Sequence, residues 1–198
     1  MKILLIRLSS IGDIVLTTPV VRCMKQQLTG VELHFLTRKS NHMLLAYNPY
    51  IDQIHDYDNN VDEVVDELRQ CGFDLVVDLH NVHRSKQIRH RLRCKTLVYN
   101  KENGRKFFYI ATKRDVMGNR HVVQRYLEAV SQLGVMDDGE GLDVFLPPTL
   151  TVPTLTLSGQ LLSSESELLP RYVAVVCGAQ HFTKQIPTLI PALLISIA

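Results

Sequence analysis

The stretch that most constrains this chain lies at its beginning. Residues 2–8, KILLIRL, form an almost unbroken apolar run rich in β-formers. Such a run suits a strand buried on both faces, as in a parallel sheet. It breaks into SSIGD at 9–13 and resumes as IVLTTPVVRCMKQQL at 14–28. That second segment puts apolar side chains at 16, 20, 21, 24 and 28, a helical stripe. Pro19 either kinks this helix or marks its true first turn. A strand that feeds a helix through a turn of small residues is a ligand position in α/β proteins. Ligands collect at the carboxyl ends of the strands, where the next helix presents unpaired N–H groups and partial positive charge. Ser9 and Ser10 supply hydroxyls there. Gly12 permits a close backbone approach or a positive φ. Asp13 is either a helix cap or a general base, and spacing alone favours the cap. Arg7, at the strand end, is either a solvated arginine or a contact for an anion. The turn has neither the G-x-G-x-x-G fingerprint of a dinucleotide site nor the Gly-Lys-Ser/Thr of a phosphate loop, which disfavours NAD, FAD and nucleoside triphosphates.

Strand and helix patterns continue to alternate. GVELHFLT (30–37) reads as a second strand, and NNVDEVVDELRQCG (59–72) as an amphipathic helix stopped by a glycine. FDLVVDL (73–79) and KTLVYN (95–100) read as strands, and NRHVVQRYLEAVSQLGV (119–135) as a helix, again stopped by glycine. Alternation of this kind predicts an α/β domain with a mainly parallel sheet. After Asp143 the chain turns rich in Pro, Ser, Thr and Leu, and the only charges between 145 and 170 are Glu165 and Glu167. This composition predicts a linker. RYVAVVC (171–177) then reads as another buried strand and GAQHFTKQIP (178–187) as the loop after it. The expected organisation is a first domain over 1–146, a linker over 147–170 and the start of a second domain over 171–198.

With 45% hydrophobic and 21% charged residues the composition is globular. A net charge of +2 does not by itself imply a nucleic-acid partner. Local charge says more. Residues 84–106 carry nine Lys or Arg against one Glu. This run is either a solvated face or a patch for an anionic membrane. Without interleaved stacking aromatics, nucleic acid stands well behind both. The four cysteines are far apart and include no Cys-x-x-Cys pair, so no zinc or redox motif is expected. His80, His83 and His181 fall in predicted loops without metal-ligand spacing, and read as ordinary loop histidines. No apolar run approaches the roughly 18 residues of a membrane span. A cytoplasmic protein is expected, with peripheral contact at the inner membrane as an option.

ILLIRLSSIGDIVLTTPVVRCMK closely resembles the start of the glycosyltransferase family 9 heptosyltransferases. FDLVVDLHNVHRS, NRHVVQRYLEAVSQLGV and YVAVVCGAQHFTKQIP resemble later family segments, in the family's order. The resemblance implies a GT-B architecture, two Rossmann-like domains facing each other, of which this chain holds the acceptor-side half and the opening of the second. It implies inverting transfer of heptose from ADP-heptose to an anionic lipopolysaccharide-core acceptor, with no cofactor and no metal. It makes Asp13 the general base and Lys184, with Thr183, the contact for the donor phosphate. Arg7, Ser9, Ser10, Gly12 and Arg120 become candidate substrate contacts. The family's Asp-Ser/Thr-Gly turn and following histidine do not occur in these 198 residues. The expectation is therefore a shortened second domain and a chain inactive alone, the alternative being a non-catalytic module that binds acceptor or membrane.

Overall fold

The computed structural model describes residues 1–101, 112 and 120–147. They fall in the unit Met1–Pro147. The linker and second-domain expectations for 148–198 lie outside the described residues.

Lys2–Ile6 forms strand β1, and its neighbours on both sides explain its apolar composition. It pairs in parallel with β2 (Glu32–Arg38) on one edge and with β4 (Leu75–Asp78) on the other. β3 (Gln53–Tyr57) extends the sheet beyond β2, and β5 (Lys95–Val98) extends it beyond β4. The order is β3-β2-β1-β4-β5, with every pairing parallel. The direction of winding reverses between β1 and β4. In a doubly wound sheet that reversal opens a crevice at the strands' carboxyl ends.

Alternate residues of the strands face opposite layers. Ile3, Leu5, Leu33, Phe35, Leu75 and Val77 pack under helices α2 (Thr18–Gln27) and α5 (Val122–Val130). Leu4, Ile6, Leu36 and Val76 pack under α3 (Val61–Cys71) and α4 (His83–Leu92). The result is a three-layer sandwich, the α/β class expected.

The helix expected over 14–28 is two helices. α1 (Ile11–Val15) ends at Leu16, and α2 restarts at Thr18 with Pro19 in its first turn, where a missing N–H costs nothing. α3 lies within the expected 59–72 and ends at the expected glycine. The Asn60 side chain accepts from the Asp62 and Glu63 amides, and Gly72 closes the helix at φ 65°. The 119–135 helix is shorter than its pattern. It runs over Val122–Val130, continues as one 3-10 turn and ends at Gly134, φ 80°.

The segment after α5 is clamped back onto α2. Buried Arg22 donates to both carboxylate oxygens of Asp138 at 2.7 and 2.8 Å, to the Gly141 carbonyl at 3.0 Å and to Asp143.

Candidate functional site

The β1–α1 turn builds the site from both ends. Arg7 continues β1, with its amide donating to the Leu36 carbonyl at 3.1 Å. Its side chain turns into the crevice beside β4 and donates to the Leu79 carbonyl at 2.9 Å. Its other terminal nitrogen meets Asp13 Oδ2 at 2.5 Å. The guanidinium stands over the Tyr126 ring at 5.8 Å. Arg7 is only 6% exposed, so it is no solvated strand-end residue.

Asp13 lies in the first turn of α1. Its Oδ2 also accepts from the Ser10 hydroxyl at 2.9 Å and, at 3.4 Å, from the Ser10 amide. Ser10 is the cap of α1, and Asp13 serves it from the third helical position, as half of a capping box. This role does not use up the group. All three contacts fall on Oδ2, while Oδ1 has no hydrogen-bond donor among the described residues. The Asp13 side chain keeps 37% of its surface open. Burial pushes its carboxyl pKa up. The Ser10 hydroxyl, the Arg7 charge and the Ser10 amide outweigh burial and hold it below the ordinary aspartate value.

Further bases gather around this pair. His80 follows β4, and Arg38 ends β2. Burial, then the charges of Arg7 and Lys101 with a smaller push from Arg38, drive the His80 pKa down to about 4 against the pull of Asp13. Arg7 Nε, Arg38 Nε and His80 Nδ1 are buried and have no hydrogen-bond partner among the described residues. Three such nitrogens at the ends of three strands suit a polar or anionic ligand. Burial pushes the Tyr126 phenol up to about 12, so it stays protonated under Arg7.

Among the described residues, no group of metal-ligating side chains includes Asp13 or His80. The arrangement offers one ionised carboxylate, with one oxygen that has no donor among the described residues, fixed at the carboxyl ends of the strands beside Arg7 and Arg38. It can accept a proton from a bound hydroxyl.

No family model matches the chain. Among curated proteins it is 24% identical over 140 residues to lipopolysaccharide heptosyltransferase 1 of Campylobacter coli, covering 66% of this chain and 41% of that protein. It is 24% identical over 143 residues to lipopolysaccharide heptosyltransferase 3 of Escherichia coli K12, covering 64% of this chain and 40% of that one. Among solved structures it superposes on a family 9 glycosyltransferase from Veillonella parvula with a TM-score of 0.60, at 23% identity, covering 74% of this chain and 45% of that one. It also superposes on the E. coli heptosyltransferase WaaC with ADP-2-deoxy-2-fluoro heptose, TM-score 0.56 at 17% identity, over 72% of this chain and 51% of that one. The chain is heptosyltransferase-like. Its sheet and helices match one half of the GT-B-like structures, and it spans about two fifths of the length of the curated relatives.

For this heptosyltransferase-like chain the candidate residues separate. Arg7, Ser10 and Asp13 are brought together. Ser9 is half-buried in the same turn. Gly12 is helical, which removes the positive-φ alternative of its reading, and a side chain there would meet nothing within 4 Å. It leaves the approach to the turn open. Arg120 precedes α5 and pairs with Glu128 at 2.7 Å on the exposed side of that helix. Thr183 and Lys184 lie outside the described residues.

Three contributors were missed. His80 read as an ordinary loop histidine, and Arg38 fell just outside the strand read over 30–37, whereas it closes β2. Asp78 is fully buried, and its carboxylate accepts from the His80 and Asn81 amides at 3.0 and 2.7 Å, and from the Ser85 hydroxyl and Arg89 at 2.9 Å each. It fixes the loop that carries His80. An aspartate closing an apolar strand three residues before an asparagine is a legible signal for such a turn.

Proposed function

We propose that this chain supplies the acceptor side of an inverting sugar transferase, which moves heptose from ADP-heptose onto an anionic lipopolysaccharide-core acceptor. The supporting observation is the asymmetry of Asp13, with Oδ2 held by Arg7 and Ser10 and Oδ1 without a donor among the described residues. An acceptor hydroxyl donates to Oδ1. As its oxygen forms the bond to the anomeric carbon, its proton passes to Oδ1. The bond from that carbon to the ADP phosphate breaks on the opposite face, and the electron pair leaves with ADP. A depressed carboxyl pKa is compatible with this order of events. The hydroxyl proton becomes acidic only as the new C–O bond forms, so an ionised, positioned carboxylate suffices. Arg7 and Arg38 draw in the acceptor's negative charge, and the neutral His80 ring offers it a hydrogen-bonding nitrogen. Lys184, with Thr183, is assigned to the departing phosphate through the family resemblance. The reaction so written calls for no metal or cofactor.

Acceptor binding tests this reading without depending on the donor side. Calorimetry of the 198-residue chain with an anionic core oligosaccharide should give an affinity in the micromolar-to-millimolar range usual for substrates. Arg38→Ala should weaken it about tenfold, the effect of losing roughly 1.4 kcal/mol. Equal binding of a neutral oligosaccharide, or none of the anionic one, would overturn it.

Peripheral membrane contact rests on α4 and residues 93–95. Arg84, Lys86, Arg91, Arg93 and Lys95 are exposed. The patch is smaller than the sequence suggests, because Arg89 is spent on Asp78 and Arg91 pairs with Asp62. No helix among the described residues is long and apolar enough to cross a membrane. Work on a cytoplasmic donor with a lipid-borne acceptor would place the protein on the inner face of that membrane.

A further inference from the structure

A second cluster lies on the α3–α4 side of the sheet, away from Asp13. His34 in β2 and His55 in β3 are each 1% exposed. Their ring nitrogens, His34 Nδ1 and His55 Nε2, meet at 2.8 Å. The rings lie within 21° of parallel, with centroids 5.1 Å apart, so the nitrogens approach in the plane of both rings. Each far nitrogen is also engaged: His34 Nε2 with Glu32 Oε1 at 2.8 Å, and His55 Nδ1 with Glu67 Oε1 at 2.5 Å. Phe73 stands edge-on to both rings. Cys71, at the end of α3, completes a group whose ligand atoms all lie within 4.8 Å of one another.

Counting protons exposes the point of this arrangement. A carboxylate is an acceptor, so both far nitrogens carry hydrogens and donate. In neutral imidazoles the two facing nitrogens then present lone pairs to each other. Two lone pairs at 2.8 Å repel unless a cation bridges them, a shared proton at this separation or a metal ion once the rings part to about 3.3 Å. Metal-bound histidines show the same outer pattern, the far N–H held by a carboxylate and the near lone pair aimed inward. The third donor is a thiol sulfur. Two imidazoles and a thiolate are the ligand chemistry of zinc and its neighbours, not of magnesium or calcium.

We infer that His34, His55 and Cys71 bind one zinc-class divalent ion, which ties the end of α3 to β2 and β3. With bond lengths of about 2.0–2.1 Å to nitrogen and about 2.3 Å to sulfur, tetrahedral ligand atoms sit about 3.3–3.8 Å apart. The cluster reaches this by a small turn of the imidazoles and an inward swing of Cys71, which is only half-buried. The thiol gives up its proton on binding. A fourth position stays open to water. Glu32 and Glu67 are half exposed and give the ion an edge to enter by. This site has no part in sugar transfer and does not rest on that reading.

Cobalt(II) is the probe. Titrated into the purified, metal-stripped 198-residue chain, it should bind one-to-one, with the visible bands of tetrahedral cobalt and a near-ultraviolet thiolate-to-cobalt band. Zinc should displace it and raise Tm. Cys71→Ser should abolish the thiolate band, while Cys94→Ser should leave it intact. Glu67→Gln should weaken binding about 10–100-fold without moving the bands. The serine and glutamine variants carry the test even if histidine variants fail to fold. Weak octahedral cobalt spectra, a thiolate band that survives Cys71→Ser, or a proton shared between the two rings that zinc leaves undisturbed in NMR would each overturn the inference.

Discussion

Arg7 and Asp13 meet at 2.5 Å although they leave the β1–α1 turn from opposite ends, and the two differ in access to solvent. The arginine is enclosed, and one oxygen of the carboxylate has no donor among the described residues. Asp13→Asn keeps the shape of the turn and removes the proton acceptor. In a preparation that transfers heptose, turnover should fall by about 10²–10⁴-fold with acceptor affinity retained. Stability should fall by about 1–2 kcal/mol, because a cap and a partner for Arg7 are weakened. Unchanged turnover with a lower Tm would make Asp13 a cap and nothing more.

Asp78 carries four hydrogen bonds with no exposed surface. Asp78→Ala should cost about 3–5 kcal/mol in denaturant unfolding, because the half-buried Arg89 loses its counter-charge and two loop amides lose their acceptor. Arg89→Ala alone should cost less, since the amides and Ser85 still satisfy the carboxylate. Equal losses would show that the loop is held by the ion pair and not by the turn.

His80 gives the protein a definite acid response. Its folded pKa of about 4 lies below the ordinary 6.5, so the fold favours the neutral ring. Between these values the unfolded chain binds a proton that the folded chain refuses. Stability is therefore complete above about pH 6.5 and declines as pH falls toward 4. Because the ring is only partly enclosed, solvent screening limits the effect to about 1–2 kcal/mol. Unfolding midpoints measured from about pH 4 to pH 7 should show this slope, and His80→Gln should flatten it. A slope unchanged in the variant would assign the acid response to other titrating groups, the buried His55 or the carboxylates.

The exposed bases of α4 and the turn after it should be additive at an anionic surface, each worth on the order of 1 kcal/mol near the headgroups. The 198-residue chain should sediment with vesicles containing anionic lipid and not with neutral ones. High salt should release it. Arg84→Glu with Lys86→Glu should abolish sedimentation without changing Tm appreciably. Binding to both vesicle types, or to neither, would rule out an anionic-membrane role for these bases.

Local features of this fold are readable along the chain because their causes are local. The apolar run of β1, the serine turn, Pro19 in the first turn of α2, and Gly72 and Gly134 at helix ends each act on their own few residues. β3 escaped the sequence reading because QIHDY is short, half polar and at the sheet edge, where one flank needs no apolar cover. The split of the first helix escaped because the apolar stripe runs through Leu16 without recording that the backbone restarts there. The cap-or-base question at Asp13 could not be settled from spacing, since it turns on which oxygen is occupied. Only tertiary structure decides that, and only parallel register brings Arg7, Arg38 and His80 to one edge of the sheet from 31 and 42 residues apart. The same register sets His34 beside His55 and under α3. A strand's sequence specifies which face each side chain takes, but its neighbour, and the charge that meets it there, are set by pairing over long loops whose closure leaves no periodic trace.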